Sequence, residues 1–252
     1  TDLIDECIED LKDYSEDSIP VLDNDNRLLG VITSANIVDL VDDEMGDDYA
    51  KLAGLTAEED LNEPLRESMK KRMPWLIVLL GLGMVVSSVV GMFEKVVTCL
   101  PIIMCFQSLI LDMAGNVGTQ SLAVTIRVLM DESLTAKQKF ELVFKEMKIG
   151  LCNGGVLGLM SFALIGLYIY IIKGKTLIFA YAVSGCIGLS LLLAMLISSA
   201  VGTCIPLFFK KIHIDPAVAS GPLITTINDL VAVISYYGLS WIFLIEVLHL
   251  AG

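Results

Sequence analysis

Five long apolar stretches dominate the chain from residue 74 onward. They span approximately residues 74–93, 97–130, 149–172, 177–209 and 216–248. As a helix, each stretch is long enough to cross a hydrocarbon core about 30 Å thick. The second, fourth and fifth are longer than this, so we expect tilt, kinks or extension beyond the bilayer. The pattern predicts five membrane-spanning helices.

The first 73 residues have a different pattern, with short apolar runs between charged segments. Residues 1–13 have a helix-like pattern. Residues 18–23 and 28–33 are typical of two short strands around a turn. A helix is expected to begin at Ser34. This part of the chain is therefore predicted to be a small α/β unit.

A further helix is predicted just before the first apolar stretch. Thr56 is followed three residues later by Glu59, a spacing typical of a capping box, so we expect a helix from Thr56 to Arg72. The predicted fold class is mainly α: a five-helix transmembrane domain, preceded by a partial α/β domain and a connecting helix.

Charge divides the chain at the same place as hydropathy. Residues 1–73 contain 21 acidic and 7 basic residues, a net charge of −14, whereas residues 74–252 have a net charge of +1. With 55% hydrophobic residues and a mean hydropathy of +0.72, the chain is too apolar for a typical soluble domain. The composition predicts an acidic soluble part, a membrane part in contact with lipid, and no nucleic-acid partner.

Basic residues near the apolar stretches are distributed unequally. If the acidic part is cytosolic, ten lie on the inner flanks and three in outer loops, at Lys95, Lys173 and Lys175. Because Lys and Arg are enriched on the cytosolic side, this predicts a cytosolic N-terminus and an outer C-terminus in the cell (inner) membrane. The ten inner residues are Lys70, Lys71, Arg72, Arg127, Lys137, Lys139, Lys145, Lys148, Lys210 and Lys211.

One carboxylate, Asp229, lies inside the fifth apolar stretch. An ionised Asp near the middle of a bilayer costs about 2.5–3.5 kcal/mol on insertion scales, so such a residue is a functional-site hypothesis. It usually faces a water-filled path, a bound cation or a proton partner. The alternative is that Asp229 is buried and protonated, or hydrogen-bonded to a neighbouring helix.

Polar or backbone-exposing residues recur at helical spacing in this stretch, at Gly221, Pro222, Thr225 and Asp229. Pro222 has no N–H, so we expect the carbonyl of Val218 to lack its helical donor. Asp215 followed by Pro216 is typical of an N-cap and a first helical position. The helix is therefore expected to begin there.

A polar segment interrupts the second apolar stretch at residues 115–121, Gly-Asn-Val-Gly-Thr-Gln-Ser. Polar backbone at membrane depth is tolerated beside protein or water rather than lipid. We expect Asn116, Thr119 and Gln120 either to line a pore or to form hydrogen bonds between helices. Asp112, a carboxylate of the same stretch, is a further candidate for the pore lining.

Six carboxylates lie within residues 39–48. On a helix, Asp39, Asp43 and Asp47 form one row, and Glu44 and Asp48 form the next. Like charges at this spacing repel, so such a helix is destabilised without cations. Two interpretations follow: a solvated acidic face, or a sensor for a hard cation such as Mg²⁺ or Ca²⁺, which takes oxygen ligands.

The segment PVLDNDNRLLGVIT resembles the second half of a CBS domain. The resemblance implies that residues 1–40 are part of such a domain within a longer protein. In nucleotide-binding CBS domains an Asp usually holds the ribose shortly after this segment. Asn36 takes that place here, which argues against nucleotide binding.

Three segments, GNVGTQSLAVTIR, KEMKIGLCNGG and DPAVASGPLITTINDL, resemble the MgtE family of Mg²⁺ channels and transporters. The resemblance implies a homodimer with five membrane helices per subunit and a pore along the two-fold axis. It also implies that an acidic plug helix, within residues 41–73, closes the pore when cytosolic Mg²⁺ bridges its carboxylates. Residues 74–252 would form the pore domain.

The resemblance also implies roles for individual residues. Asp229 is expected to hold hydrated Mg²⁺, Thr225 to offer its backbone carbonyl, and Asp215 to meet the plug at the inner mouth. The acidic positions that match the family's regulatory Mg²⁺ ligands are Asp39, Glu44, Asp47 and Asp48.

Other classes of function fit less well. An intramembrane aspartyl protease would use Asp112 and Asp229, but neither follows the expected G-x-G-D motif, so we expect no enzyme. Two histidines and six cysteines without a Cys-x-x-Cys pair argue against zinc, copper or nickel. A cation-coupled transporter of another divalent metal or substrate stays open, although five spans show no inverted repeat.

Overall fold

A computed structural model describes residues 18–57, 61–131, 134–219 and 221–249. The helix-like pattern of residues 1–13 lies outside these ranges. In the described part, the molecule consists of a two-stranded hairpin, one helix next to it, and a bundle of long apolar helices.

The two predicted strands are confirmed. Strand β1 (Ser18–Leu22) pairs antiparallel with β2 (Leu28–Thr33). Helix α1 (Ser34–Leu52) follows directly, as expected. Thr33 and Asn36 form a capping box at its start, in which the Thr33 hydroxyl also donates to Asn36 Oδ1 at 2.7 Å. This box satisfies backbone donors that the first turn of a helix leaves without partners.

The helix predicted from Thr56 to Arg72 is wrong at its start. Helix α2 begins at Leu65 and continues as the first span to Met92. Pro64 precedes it in an extended conformation, and the residue before a proline disfavours helix. The N–H and the hydroxyl of Thr56 both donate to the carbonyl of Lys71, each at 3.1 Å.

The second apolar stretch breaks near Pro101, and a kink was among the expectations for this long stretch. A short helix α3 (Glu94–Cys99) ends there, and a 3₁₀ turn (Pro101–Ile103) leads into α4 (Met104–Asp131). Because proline fits the first turn of a helix but not its interior, the break falls just before it.

The next two spans differ in how they follow the apolar pattern. Helix α5 (Ala136–Ile171) begins 13 residues before its apolar stretch because Thr135 and Gln138 form a capping box in a polar segment. Helix α6 (Leu177–Lys211) closely follows its stretch and continues through Pro206 without a break.

The fifth span corrects two expectations. Asp215 caps a 3₁₀ turn (Pro216–Val218), and α7 (Gly221–Leu239) starts only afterwards. Pro222 therefore lies in the first turn of α7, where backbone N–H groups have no helical acceptor, so its missing N–H removes no bond to Val218. The span continues as a π-helix (Ser240–Val247).

Five helical segments of the described chain are long and apolar enough to cross a membrane, which confirms the predicted number. They are Leu65–Met92, Pro101–Leu129, Ala136–Ile171, Leu177–Lys211 and Gly221–Val247. The chain is therefore a multi-pass membrane protein by length and composition of its helices.

Small residues allow α5 and α6 to approach each other through their backbones. A Cβ at Gly158 would lie 2.6 Å from the carbonyl oxygen of Gly188, and the reverse distance is the same. A Cβ at Gly154 would lie 2.9 Å from Leu192 Cα. Close packing of this kind helps to hold membrane helices together, because lipid is as apolar as the helices and no hydrophobic driving force brings them together.

The main core lies between α4, α6 and α7 and is anchored by two buried tyrosines. The hydroxyl of Tyr236 donates to the carbonyl of Ile103 at 2.7 Å, and that of Tyr237 donates to Gln107 Oε1 at 2.5 Å. Because hydroxyls inside an apolar bundle need partners, these bonds fix α7 against the start of α4.

Candidate functional site

The predicted polar row on the fifth span is present on α7. Asp229 is half-buried, two turns after the first turn of the helix, and Thr225 lies one turn before it. The Thr225 and Thr226 hydroxyls both donate to the carbonyl of Pro222, at 2.9 and 2.8 Å. These bonds leave the carboxylate of Asp229 as the charged group of the row.

The polar segment of α4 crosses α7 beside this row. A Cβ at Gly115 would lie 3.3 Å from Thr225 Cγ2, and a Cβ at Gly221 would lie 3.8 Å from Thr119 Cγ2. Thr119, one of the predicted lining residues of α4, thus lies beside the start of α7. Its hydroxyl donates to the carbonyl of Asn116 at 2.9 Å.

Asn116 and Gln120 face a different neighbour. They line a cavity of about 320 Å³ between α4, α5 and α6, together with Asn153 of α5. Asp112 lies one turn before Asn116 and is exposed. The polar segment therefore has two sides: one packs on α7, and the other borders this cavity with its amide side chains.

A second polar contact joins α1 to the start of the fifth span. We call it the junction, and it comprises Lys51, Leu52 and Gly54 with Asp215, Gly221 and Pro222. Lys51 Nζ donates to Asp215 Oδ2 at 2.7 Å and lies 3.9 Å from Asp48 Oδ1. Asp215 also accepts from the N–H of Ala217 at 2.8 Å.

Burial and neighbouring charge perturb the titrating groups of the junction. Burial, with the nearby charge of Asp215, raises the pKa of Asp48, although Lys51 partly offsets this. Burial alone would lower the pKa of Lys51, but its hydrogen bond to Asp215 and the surrounding carboxylates raise it. The ammonium therefore stays protonated at neutral pH.

The acidic residues predicted to form rows on a helix within residues 39–48 lie on α1. Asp39, Asp43 and Asp47 are exposed, and Asp48 is half-buried at the junction. The side chain of Glu44 lies outside the described structure. Within the described ranges of one chain, no three His, Cys, Asp or Glu side chains group closely enough to hold a metal ion.

Three polar residues of the described structure were not singled out by the sequence. Asn228 is fully buried next to Asp229, and neither atom of its amide has a hydrogen-bond partner in the described structure. Glu146 is buried and accepts from the Ser121 hydroxyl at 3.0 Å. Lys51 is the third such residue, because only its long-range contact with Asp215 distinguishes it from other basic residues.

Known proteins resemble this chain over most of its length. Residues 107–239, more than half of the chain, match the MgtE family, described as a divalent cation transporter. This range contains the whole α4–α7 crossing and Asp229.

Three curated relatives have the name magnesium transporter MgtE. The protein of Enterococcus faecalis is 38% identical over 93% of this chain and 49% of its own length. That of Bacillus subtilis is 34% identical over 90% and 48%, and that of Thermus thermophilus is 29% identical over 90% and 48%. The chain spans about half the length of the curated relatives it matches.

These matches confirm the family resemblance and the expectation that the chain is not an enzyme, because the family is one of transporters. The polar row of α7 and its crossing with the polar segment of α4 fall within the matched residues 107–239. The chain belongs to the MgtE family of divalent cation transporters.

Proposed function

We propose that this chain is the pore-forming part of a Mg²⁺ channel or transporter that conducts hydrated Mg²⁺ into the cytosol. The observation that carries the proposal is the half-buried carboxylate of Asp229 in an apolar span, in a row with Thr225 and Pro222. The name of the relatives, magnesium transporter, supports the same ion.

The chemistry of the row suits a hydrated hard cation. Mg²⁺ gives up water reluctantly and is bound by one or two carboxylates with several waters retained. In a homodimer, two-fold symmetry would bring two Asp229 side chains to one axis and form a small acidic ring. Thr225, Thr119, Gly221 and Pro222 would line the path beside it, with Asn116, Gln120 and Asp112 as further candidates.

Cytosolic Mg²⁺ would close this pore through α1. The carboxylates proposed to bind the regulatory ion are Asp39, Glu44, Asp47 and Asp48 on α1, with Asp215 at the mouth. An ion that binds the docked form of α1 more tightly than the undocked form shifts the population toward closure. The junction would then be the cytosolic mouth of the pore.

The same proposal sets the topology. The N-terminal part would lie in the cytosol and the C-terminus outside the cell (inner) membrane, as the distribution of basic residues suggests. Residues 1–40 would belong to a CBS domain, followed by the linker and plug at 41–73 and the pore at 74–252. Nucleotide is not proposed as a ligand, since the Asn36 side chain is engaged in the capping box of α1.

Replacing the central carboxylate tests the pore directly. Asp229→Ala in the full-length protein is expected to abolish Mg²⁺ flux or its selectivity, because no charge remains to offset the loss of bulk water. Mg²⁺ uptake into vesicles, read with a trapped fluorescent indicator, measures the effect.

Glu141→Gln, an exposed carboxylate of α5, is the matched control and should leave the flux unchanged. Normal, selective flux in Asp229→Ala would reject the pore assignment. Flux that stops when a Na⁺ or proton gradient is collapsed would instead favour the alternative, a cation-coupled secondary transporter.

A further inference from the structure

Lys51 connects two elements that lie far apart in the sequence. Its ammonium pairs with Asp215, 164 residues away, and lies within ion-pair distance of Asp48 in the last turns of α1. The Lys51 and Asp215 side chains are 28% and 38% exposed, so water screens the pair only in part. One tethered cation thus contacts a carboxylate of α1 and a carboxylate of the fifth span.

The packing around Lys51 gives its ammonium a defined position. Ala50 and Ala217 on the two sides of the junction are both buried. A Cβ at Gly221 would lie 3.5 Å from the carbonyl oxygen of Leu52. The Leu52 side chain also packs against a buried apolar cluster of the bundle, composed of Leu122, Ile126, Ala219 and Ile224.

Without this lysine, the junction would bring like charges together. Asp48 Oδ1 and Asp215 Oδ2 lie 3.9 and 2.7 Å from the same Lys51 ammonium, so the two carboxylates are neighbours. Two carboxylates held in a partly buried contact repel each other unless a cation lies beside them. The docked position of α1 therefore requires a positive charge at this point, and Lys51 supplies one that belongs to the chain.

We propose that Lys51 is a built-in cation of the gate, whose ammonium neutralises Asp215 and Asp48 and raises the fraction of channels with α1 docked against the fifth span even when Mg²⁺ is scarce. The inference rests on the proposed function. It adds that part of the stabilisation of the closed state comes from Lys51 and needs no divalent ion. Mg²⁺ that binds Asp48 or Asp215 has to displace Lys51 from them.

Competition between the Lys51 ammonium and Mg²⁺ would determine how much the flux changes between zero and saturating cytosolic Mg²⁺. A ligand shifts a conformational equilibrium only by the difference in its affinity for the two states. Because Lys51 already stabilises the docked state, a Mg²⁺ ion that replaces it contributes only the difference between the two cations. Removing Lys51 should therefore open the gate at low Mg²⁺ and widen the change in flux between zero and saturating Mg²⁺.

Currents from the full-length protein in excised membrane patches test this, with Mg²⁺ outside and its concentration varied on the cytosolic face. Lys51→Gln is expected to raise the current at zero cytosolic Mg²⁺ about fivefold, the effect of losing one partly screened ion pair. Saturating cytosolic Mg²⁺ should still close the variant. Lys51→Arg should retain wild-type current, because it keeps the charge.

Lys145→Gln is the matched control, since it removes an exposed lysine of α5 at a distance from the junction. It should leave the current at zero Mg²⁺ unchanged. Equal currents for Lys51→Gln and the wild type at zero Mg²⁺ would overturn the proposal.

A second measurement does not depend on conduction. Spin labels at two exposed positions, Met45 on α1 and Lys137 on α5, report whether α1 is docked. At zero Mg²⁺, Lys51→Gln should broaden the distribution of label distances, and added Mg²⁺ should narrow it again. An unchanged distribution at zero Mg²⁺ overturns the role of Lys51, even if the variant carries no current.

If Asp229→Ala conducts normally while the distances respond as expected, the pore assignment fails and the role of Lys51 in docking stands.

Discussion

At the scale of single residues, Gly54 allows α1 to meet α7. It follows α1 with a positive φ of 86°, and a Cβ at this position would lie 3.3 Å from Pro222 Cγ. Residues with a side chain adopt such a φ at a cost of about 1–2 kcal/mol. Both the backbone and the available space therefore favour glycine at the junction.

Gly54→Ala is expected to weaken docking of α1, since the new methyl group adds strain and crowds Pro222. A cost of about 1 kcal/mol corresponds to roughly a fivefold rise in the cytosolic Mg²⁺ that half-inhibits flux. The measurement is the inhibition curve in membrane patches. Gly30→Ala is the control, because a Cβ there meets no atom within 4 Å. Identical curves for Gly54→Ala and the wild type would contradict the prediction.

Single residues were predictable from sequence where the reason to single them out lies in the neighbouring sequence, such as the free-energy cost of a carboxylate in an apolar stretch. Asp229 stands out because a carboxylate is expensive inside any apolar stretch, and Thr225 because it is one helical turn away. Lys51 and Asn228 were not predictable in this way. The role of Lys51 depends on a contact across 164 residues, and the burial of Asn228 depends on which face of α7 packs inward.

At the scale of elements, α5 and α6 form a pair in which backbone touches backbone. The Gly158–Gly188 contact leaves no space for a methyl group on either side. Helices in such contact cannot separate slightly without losing packing over the whole interface, since dispersion falls steeply with distance. We expect α5 and α6 to move as one body.

Two adjacent glycines of α5 allow a controlled test of this pairing. Gly154→Ala should lower the thermal stability of the detergent-solubilised protein, because its Cβ would lie 2.9 and 3.1 Å from backbone atoms of Leu192. We expect a loss of about 1–3 kcal/mol, as for overpacking in a core. The loss would be followed as the midpoint of thermal unfolding.

Gly155→Ala is the matched control, because a Cβ there has no atom within 4 Å and alanine favours the helix. Its midpoint should equal or exceed that of the wild type. A similar loss in both variants would show that the effect comes from the helix itself and not from the α5–α6 contact.

The elements were predictable in number and type, because five apolar stretches of sufficient length leave little choice. Their ends were not. Helix α5 begins in a polar segment that apolar length does not reveal, and α2 begins only after Pro64. The fifth span starts at Gly221 because Asp215 and Pro216 form a 3₁₀ turn instead of a first α-helical turn. In each case caps and prolines, not hydropathy, set the boundary.

At the scale of the whole molecule, an acidic part adjoins a nearly neutral membrane domain. The excess negative charge lies before residue 74, and in the described part α1 brings it to the start of the fifth span. We expect such a distribution to make the position of α1 sensitive to cations, because a divalent ion can draw together exposed carboxylates that otherwise repel each other.

Neutralising four carboxylates of α1 together tests this sensitivity. The change Asp39→Asn, Glu44→Gln, Asp47→Asn and Asp48→Asn should raise the half-inhibiting cytosolic Mg²⁺ about tenfold or more, within the usual range of coupling free energies. Flux assays across a series of cytosolic Mg²⁺ concentrations measure the shift. Asp25→Asn, an exposed acid of the hairpin turn, should change nothing. Unaltered inhibition in the fourfold variant would reject α1 as the regulatory element.

The two hydrogen bonds from Thr56 to the carbonyl of Lys71 give α1 a mechanical constraint. They attach the chain just beyond Gly54 to the first span, three residues before Pro74, where the missing N–H of proline weakens the helix. The end of α1 is therefore attached to the first span, so we expect the proposed undocking to be a rotation about this attachment and not a free release. Residues near the hairpin would move farthest, whereas Lys51, close to this attachment, would move only a short distance. A small displacement at the junction thus corresponds to a large swing of the acidic face.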